Sequence, residues 1–352
     1  MTRVGMDVKF YDGTTLVGDD PIATLRAAHE LGFEGLLVRT VDEAFPTLDR
    51  AEIDRFAAEA DRLGMFVQLG LGKVNPYMTA ELPRVRDLGG GSYLAGMERM
   101  IGICGDYGWT EAWTATGGFK HHLPAPYSID RFRTDVPWPD QLRAIERFLR
   151  SLAPTLRRHG VRLNLETHEE ITTFEILRLI DGIGADVLGV CLDPGNLMVR
   201  GETVPGAVAR VAPFTHMTHL RDAVLVPVDD GLSRFLAPIG DGTMDWDALL
   251  DALLTAQPDI DLAVEGIGGV RAEMQLQPRD PYWRSAHPDM TDDDVAELER
   301  IASAFPPPNA PHTTASLEEL RAVVPERGDY VDFLSRSREA LVAAIARRDG
   351  KE

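Results

Sequence analysis

Val161–Glu170 reads VRLNLETHEE, an apolar run of strand length that stops on Glu166, with His168 two places further on. A buried strand has little reason to deliver a carboxylate and an imidazole at its carboxyl end unless something binds there. Three later stretches close in the same manner. VLGVCLDPGN (Val187–Asn196) ends its apolar run on Asp193, FTHMTHLRD (Phe214–Asp222) on His219, and DLAVEG (Asp261–Gly266) on Glu265. Strand ends offering Glu, Asp, His and Glu point to one metal site.

Working outward, the chain alternates strand and helix. Earlier strands are expected at Val4–Val8, Phe33–Val38, Met65–Leu71 and Trp109–Thr116. Helices are expected from Asp20-Pro21 to Leu31, over Asp49–Leu63, Ser92–Cys104, Pro139–His159 and Thr172–Ile183, and from Asp245-Trp246 to Leu254. Asp20 is a natural N-cap with Pro21 at the first helical position, and Gly32, Gly64 and Gly160 stand where helices need a residue free of a Cβ. Loops are expected over Gly117–Pro137 and from Arg221 to Asp245. With the strands at Val161–Glu166, Val187–Asp193, Phe214–Leu220 and Asp261–Glu265 there are eight strand–helix units. That number predicts a closed parallel (β/α)8 TIM barrel, because polar residues gather at several successive strand ends where barrel sites lie. A doubly wound open sheet would gather them at one switch point.

Residues 1–270 are expected to form the barrel, with the site at the carboxyl ends of its strands. Residues 271–352 are expected to be a C-terminal helical extension that includes the last barrel helix, with helices over Asp292–Ala304 and Asp329–Arg347. Tyr282, Trp283 and Met274, near prolines in this tail, suggest an interface segment. They predict a homo-oligomer or a complex with a small second subunit.

Composition narrows the function. The 352 residues carry 36 Lys+Arg against 56 Asp+Glu, a net charge of −20 that opposes binding to nucleic acid or an anionic membrane. Two cysteines, Cys104 and Cys191, give no disulfide framework and suit a reducing cytoplasm. No apolar stretch has the length of a membrane span, and MTRVGMDVKF does not read as a signal peptide.

In a barrel, Glu166, Asp193, His219 and Glu265 come from strands five to eight, one contiguous half of the ring. Three carboxylates and an imidazole suit one hard divalent ion, Mn²⁺ first, with Mg²⁺, Co²⁺ or Zn²⁺ usable. Taken singly, each residue has a plainer reading: Asp193 in turn chemistry, His219 as a core histidine with His216 as its rival. Such a site would lower the cost of removing a proton next to a carbonyl. Glu166 and Glu265 on opposite sides would then allow epimerisation. His168, if free, is a general base near neutral pH. Softer candidates for binding the substrate are Arg221, Asn196, Trp113, Lys120 and His121; Arg39 and the GIGG after Glu265 could also hold a polar group.

LETHEE, CLDPGN, THLRD and PIGDGTMDW, in that order, resemble the motifs of the xylose-isomerase-like barrels, the sugar phosphate isomerase/epimerase superfamily, over roughly Val4 to Gly269. The resemblance implies that Glu166, Asp193, His219 and Glu265 hold a catalytic divalent metal, and that Pro238–Gly242 is structural. It implies a carbohydrate enzyme acting on a small sugar or sugar conjugate through an enediolate, first an isomerase or epimerase, and the cysteine count places it in the cytoplasm. Several epimerases of the superfamily have a histidine three places after the ligand Asp, where this chain has Asn196. Relatives that cleave 3-keto C-glycosides resemble it in placing a histidine just past the first ligand Glu. A lyase with His168 as base (deglycosidase, dehydratase or decarboxylase) is therefore the alternative. A DNA-repair endonuclease is a remote one, opposed by the charge.

Overall fold

The computed structural model describes residues 2–10, 16–79, 82–120, 122–266, 272–307, 316–322 and 327–350. Eight parallel strands form one sheet: β1 (Val4–Val8), β2 (Gly35–Val38), β3 (Phe66–Gly70), β4 (Glu111–Thr114), β5 (Arg162–Glu166), β6 (Leu188–Leu192), β7 (Thr215–Thr218) and, past an inserted hairpin, β10 (Leu262–Val264). β1 pairs with both β2 and β10. Closure between β7 and β10 falls to a parallel bridge of Leu220 with Val264, where the Leu220 N–H donates to Ala263 O at 2.8 Å and the Glu265 N–H to Leu220 O at 3.1 Å. The result is the expected (β/α)8 barrel.

Most strands are shorter than the apolar runs at one or both ends, and the residues trimmed from their amino ends, such as Phe33, Met65, Val161 and Val187, stay in the hydrophobic core. Inside the ring, Leu37, Trp113, Ala115, Cys191, Met217 and Ala263 pack together. Outside it, the larger core joins strands to helices, among them Arg50–Leu63 and Trp138–His159, which end on Gly64 and Gly160 in the left-handed conformation at φ 69° and 63°. Gly70 is required for another reason: a Cβ there would lie 1.6 Å from the Arg39 carbonyl oxygen. β2 and β3 can approach this closely only at glycine.

The stretch from Arg221 to Asp245, expected as loop, contains a hairpin instead. β8 (Asp222–Val228) and β9 (Gly231–Ala237) pair antiparallel, and β11 (Met274–Leu276) adds to β9. Asp229-Asp230-Gly231 between two apolar runs is a hairpin signal. The sheet buries its own core, with Leu225, Leu232, Leu236, Met274, Trp283 and Leu298 among its members. Met274 and Trp283 are therefore interior residues rather than the exposed surface expected of them; of the three, Tyr282 alone is exposed. Helix Asp292–Ser303 covers β8, while helix Arg327–Arg348 packs on β1, β10 and helix Trp246–Ala256, the place of a last barrel helix.

The PIGDG loop turns around one buried carboxylate. Asp222 accepts from the Ala223, Gly240 and Met244 N–H groups at 2.8, 3.1 and 3.3 Å and from the Trp246 indole N–H at 2.7 Å. Burial raises its pKa to about 6 against the pull of those donors.

Candidate metal centre and cavity

Glu166 is the last residue of β5, and its position is locked from the next strand. The Thr167 N–H donates to Cys191 O at 3.0 Å, and the Thr167 hydroxyl donates to Asp193 O at 2.9 Å while accepting the Asp193 N–H at 2.8 Å. The His219 N–H donates to Leu192 O at 2.9 Å, which fixes the imidazole one residue past β7's apolar run. Neighbouring strand ends thus hand their side chains to one point.

Glu166, His219 and Glu265 meet there, each with a ligand atom within 4.8 Å of the others. His219 Nδ1 lies 3.3 Å from Glu166 Oε1 and 3.8 Å from Glu265 Oε2. Among the described residues these atoms and His219 Nε2 are buried without a hydrogen bond, Glu265 Oε2 having only its ion pair with Arg221 at 3.0 Å. Buried polar atoms without partners are costly, and cis ligands of an octahedral ion with bonds of about 2.1 Å stand about 3 Å apart. The donor set therefore fits a divalent ion. His216 faces away, beside Gly189, and is not one of the group.

Asp193 stands apart from these three. Its Oδ1 accepts from the Gly195 N–H at 2.9 Å, and its Oδ2 accepts from Asn196 Nδ2 at 2.8 Å and from the Arg221 guanidinium. Burial lifts its pKa to about 7, with Arg221 opposing and Glu265 and Glu166 reinforcing. Asn196 is fully buried and serves Asp193 and Arg221 rather than the cavity.

Glu265 is gripped by cations. Lys9 lies 3.3 Å away, Arg221 3.0 Å, and Arg39 donates to it while also pairing with Asp7. Burial would raise its pKa, but Arg221, Arg39 and Lys9 hold it well below the carboxylate range. Glu166 is also held low: burial opposes, and His219 and His168 win. The Trp113 indole N–H donates to Glu166 Oε2 at 2.9 Å, and Arg39 stacks over the Trp113 ring at 4.9 Å.

His168 is not the free imidazole expected of it. Nε2 lies 3.0 Å from Glu169 Oε2 and Nδ1 2.5 Å from Glu170 Oε2, whose other oxygen accepts from the Thr116 hydroxyl at 2.7 Å. Burial would lower the imidazole pKa, but Glu169 and Glu170 raise it to about 10. The two carboxylates favour the imidazolium over the neutral ring.

A cavity of ≈ 560 Å³ opens onto the centre, with Glu166, Glu265, His168, Trp113, Arg221 and Lys73 in its wall. Lys120 is not in that wall; it is buried against Asp130 at 3.3 Å. His121 and most of GIGG lie outside the described residues. Sequence reasoning missed Asp7, Lys9 and Lys73. Charged Asp7 inside the apolar run VGMDV was a readable signal, whereas Lys9 and Lys73 carried none.

The model of the xylose isomerase-like TIM barrel matches residues 25–300. The chain belongs to that family. It is 28% identical over 134 residues to the 3-oxo-isoapionate decarboxylase of Pectobacterium atrosepticum, an alignment covering 38% of this chain and 48% of that enzyme. A 120-residue stretch is 26% identical to YihM of Escherichia coli, covering 34% of this chain and 37% of YihM. The matched segments thus span less than half of these relatives. Among solved structures, E. coli 3-keto-D-glucoside 4-epimerase superposes with a TM-score of 0.55 at 16% identity, over 85% of this chain and 100% of that one. An L-ribulose 3-epimerase gives 0.57 at 17%, over 99% and 97%. A Mycobacterium smegmatis barrel protein in complex with magnesium gives 0.56 at 17%, over 86% and 98%. At such identities these likenesses concern the fold. Among the described residues no helix is long and apolar enough to cross a membrane.

Proposed function

We propose that this chain is a divalent-metal-dependent lyase that decarboxylates a keto-sugar acid. The observation that carries the reading is the grip of Lys9, Arg39 and Arg221 on Glu265. Two-face epimerisation needs Glu265 as a base, and three cations around a carboxylate stabilise its charged form and so weaken it as a proton acceptor. Decarboxylation needs no base. The P. atrosepticum relative, by its name, removes a carboxyl group from an oxo-sugar acid.

Glu166, His219 and Glu265 would hold the ion, joined by Asp193 if Arg221 releases it; Mn²⁺ is the first choice. When bound, such an ion draws electron density from a carbonyl oxygen. In the substrate, a carboxylate one carbon removed from the ketone loses its C–C bond. The electron pair moves toward the ketone, CO₂ leaves, and the carbon left behind takes a proton. His168, at the cavity wall, would donate that proton once Nε2 leaves Glu169, the reverse of the base role expected from sequence. Glu170 orients that ring through Nδ1. Trp113 holds Glu166 in place and closes one side of the cavity against water.

Epimerisation is the second reading, favoured by the presence of both Glu166 and Glu265 in the cavity wall. Incubation of Mn²⁺-loaded protein with 3-keto aldonic acids, with CO₂ measured, separates the two. Deuterium exchange into free ketoses without CO₂ release from any keto acid would move the assignment to an epimerase. The proposal includes a cytoplasmic homo-oligomer, or a complex with a small second subunit, with exposed Tyr282 as a contact. A monomeric mass at micromolar concentration would remove the homo-oligomer.

A further inference from the structure

Nearly every cation in the cavity wall is already matched to a carboxylate. Lys9 and Arg39 pair with Glu265, Arg84 with Asp42, and Arg221 with Asp193 and Glu265. The Lys73 ammonium is different. Among the described residues its hydrogen bond goes to the Gly117 carbonyl oxygen, at 2.5 Å, and it has no ion pair. An ammonium has three N–H donors, so two are left for whatever enters the cavity.

Its position is fixed on both sides. The Leu71 N–H donates to Trp113 O at 2.8 Å, the Val74 N–H to Ala115 O at 3.1 Å, and the Tyr93 hydroxyl to Lys73 O at 2.7 Å. Gly118 passes so near that a Cβ there would lie 2.9 Å from the ammonium nitrogen. Burial lowers the lysine pKa, with Glu170 and Glu166 pulling it back. Glu170, Glu166, Asp130 and Glu169 act on it only from a distance, and a desolvated cation without a direct ion pair gains from an entering anion.

We infer that Lys73 binds the substrate's carboxylate and so selects acidic sugars over neutral ones of the same size. The inference rests on the keto-acid reading above. It assigns the end of the cavity beneath the Gly117-Gly118 turn to the acid group, leaving the ketone for the Glu166–His219–Glu265 centre.

Calorimetric binding of D-xylonate and of xylitol to the Mn²⁺-loaded protein tests it. A charge-assisted hydrogen bond in a partly desolvated site predicts about a 10- to 100-fold preference for xylonate. K73Q should lose that preference, and K73R should keep most of it. A wild-type protein that prefers xylitol overturns the keto-acid reading together with this inference. A wild-type protein that prefers xylonate, with K73Q equal to it, overturns the Lys73 assignment and leaves the reading standing. Reductive methylation of the unmutated protein gives an independent readout by mass spectrometry. Xylonate should protect Lys73 where xylitol does not, and equal labelling with both would overturn the assignment.

Discussion

Replacing Asp222 tests how far the cavity depends on a residue that never touches it. Its carboxylate accepts four hydrogen bonds, from Ala223, Gly240, Met244 and Trp246, in a fully buried setting. Bonds to a charged acceptor contribute about 1.5–3 kcal/mol each, or roughly 6–12 kcal/mol for the set. Burial outweighs those bonds in the titration and raises the pKa from 3.8 to about 6, a net cost of about 3 kcal/mol for the ionised form above that pH. D222A leaves four donors without their acceptor, at about 1–3 kcal/mol each, and should lose several kcal/mol near pH 7, a large part of the roughly 5–15 kcal/mol typical of a folded domain. D222N should fall between, since either amide orientation turns an NH₂ toward two of the donors. The sign of the pH effect follows from the raised pKa. The proton-linked stability is fully present below pH 3.8 and lost as pH rises to about 6, and D222N should remove that slope. Urea unfolding of the wild type, D222A and D222N between pH 4 and 7.5 measures all of this. A D222A loss under about 1 kcal/mol with an unchanged m-value would refute the hub argument.

Mn²⁺ at about a hundred times its dissociation constant should stabilise the protein by about 2.7 kcal/mol, or about 4 °C in Tm for a chain of this length. H219A and E166Q should abolish that shift, and its survival in both would remove the metal centre. G70A should be expelled from soluble expression or lose several kcal/mol, because its Cβ would overlap the Arg39 carbonyl oxygen; a wild-type melting curve would contradict the β2–β3 packing described above. Burial lowers the His216 pKa from 6.5 to about 4, with Arg162 adding to it, so this imidazole folds neutral. Stability tied to it is present above pH 6.5 and falls as the pH drops toward 4. After allowance for its partial exposure the loss is about 1–2 kcal/mol. H216Q should be less sensitive to acid by that amount in paired denaturation curves, and parallel curves would rule it out.

The barrel was legible because its strands carry near-continuous apolar runs and its helices carry their own stop signals, such as Gly64 and Gly160. The strand-end rule also brought Glu166, His219 and Glu265 forward, since a polar residue closing a buried strand is visible in one dimension. What escaped depends on side-chain direction and on distant partners. Asp193 closes its strand as well as the others do, yet Arg221 and Asn196 occupy one of its oxygens and the Gly195 N–H the other. His168 looked free because nothing in LETHEE says that both following glutamates fold back onto its ring. Trp283 and Met274 read as surface among prolines because the hairpin that covers them had itself been read as loop. Period-2 alternation is weak across Asp222–Ala237, where both faces are largely buried, so only the Asp-Asp-Gly turn announced it.

The small sheet of β8, β9 and β11 joins two excursions that leave the barrel from different strands, one after β7 and one after β10. Met274 pairs with Arg234 across that seam, and helix Asp292–Ser303 closes over β8. Loops of barrel enzymes are often treated as separate cassettes, each free to be lengthened, shuffled or grafted. Here the two are one heritable unit: a hairpin transplanted from a relative would leave β11 without an edge and Trp283 without a floor. Chimeras of this barrel should keep their fold when both segments travel together, and should misfold when either travels alone.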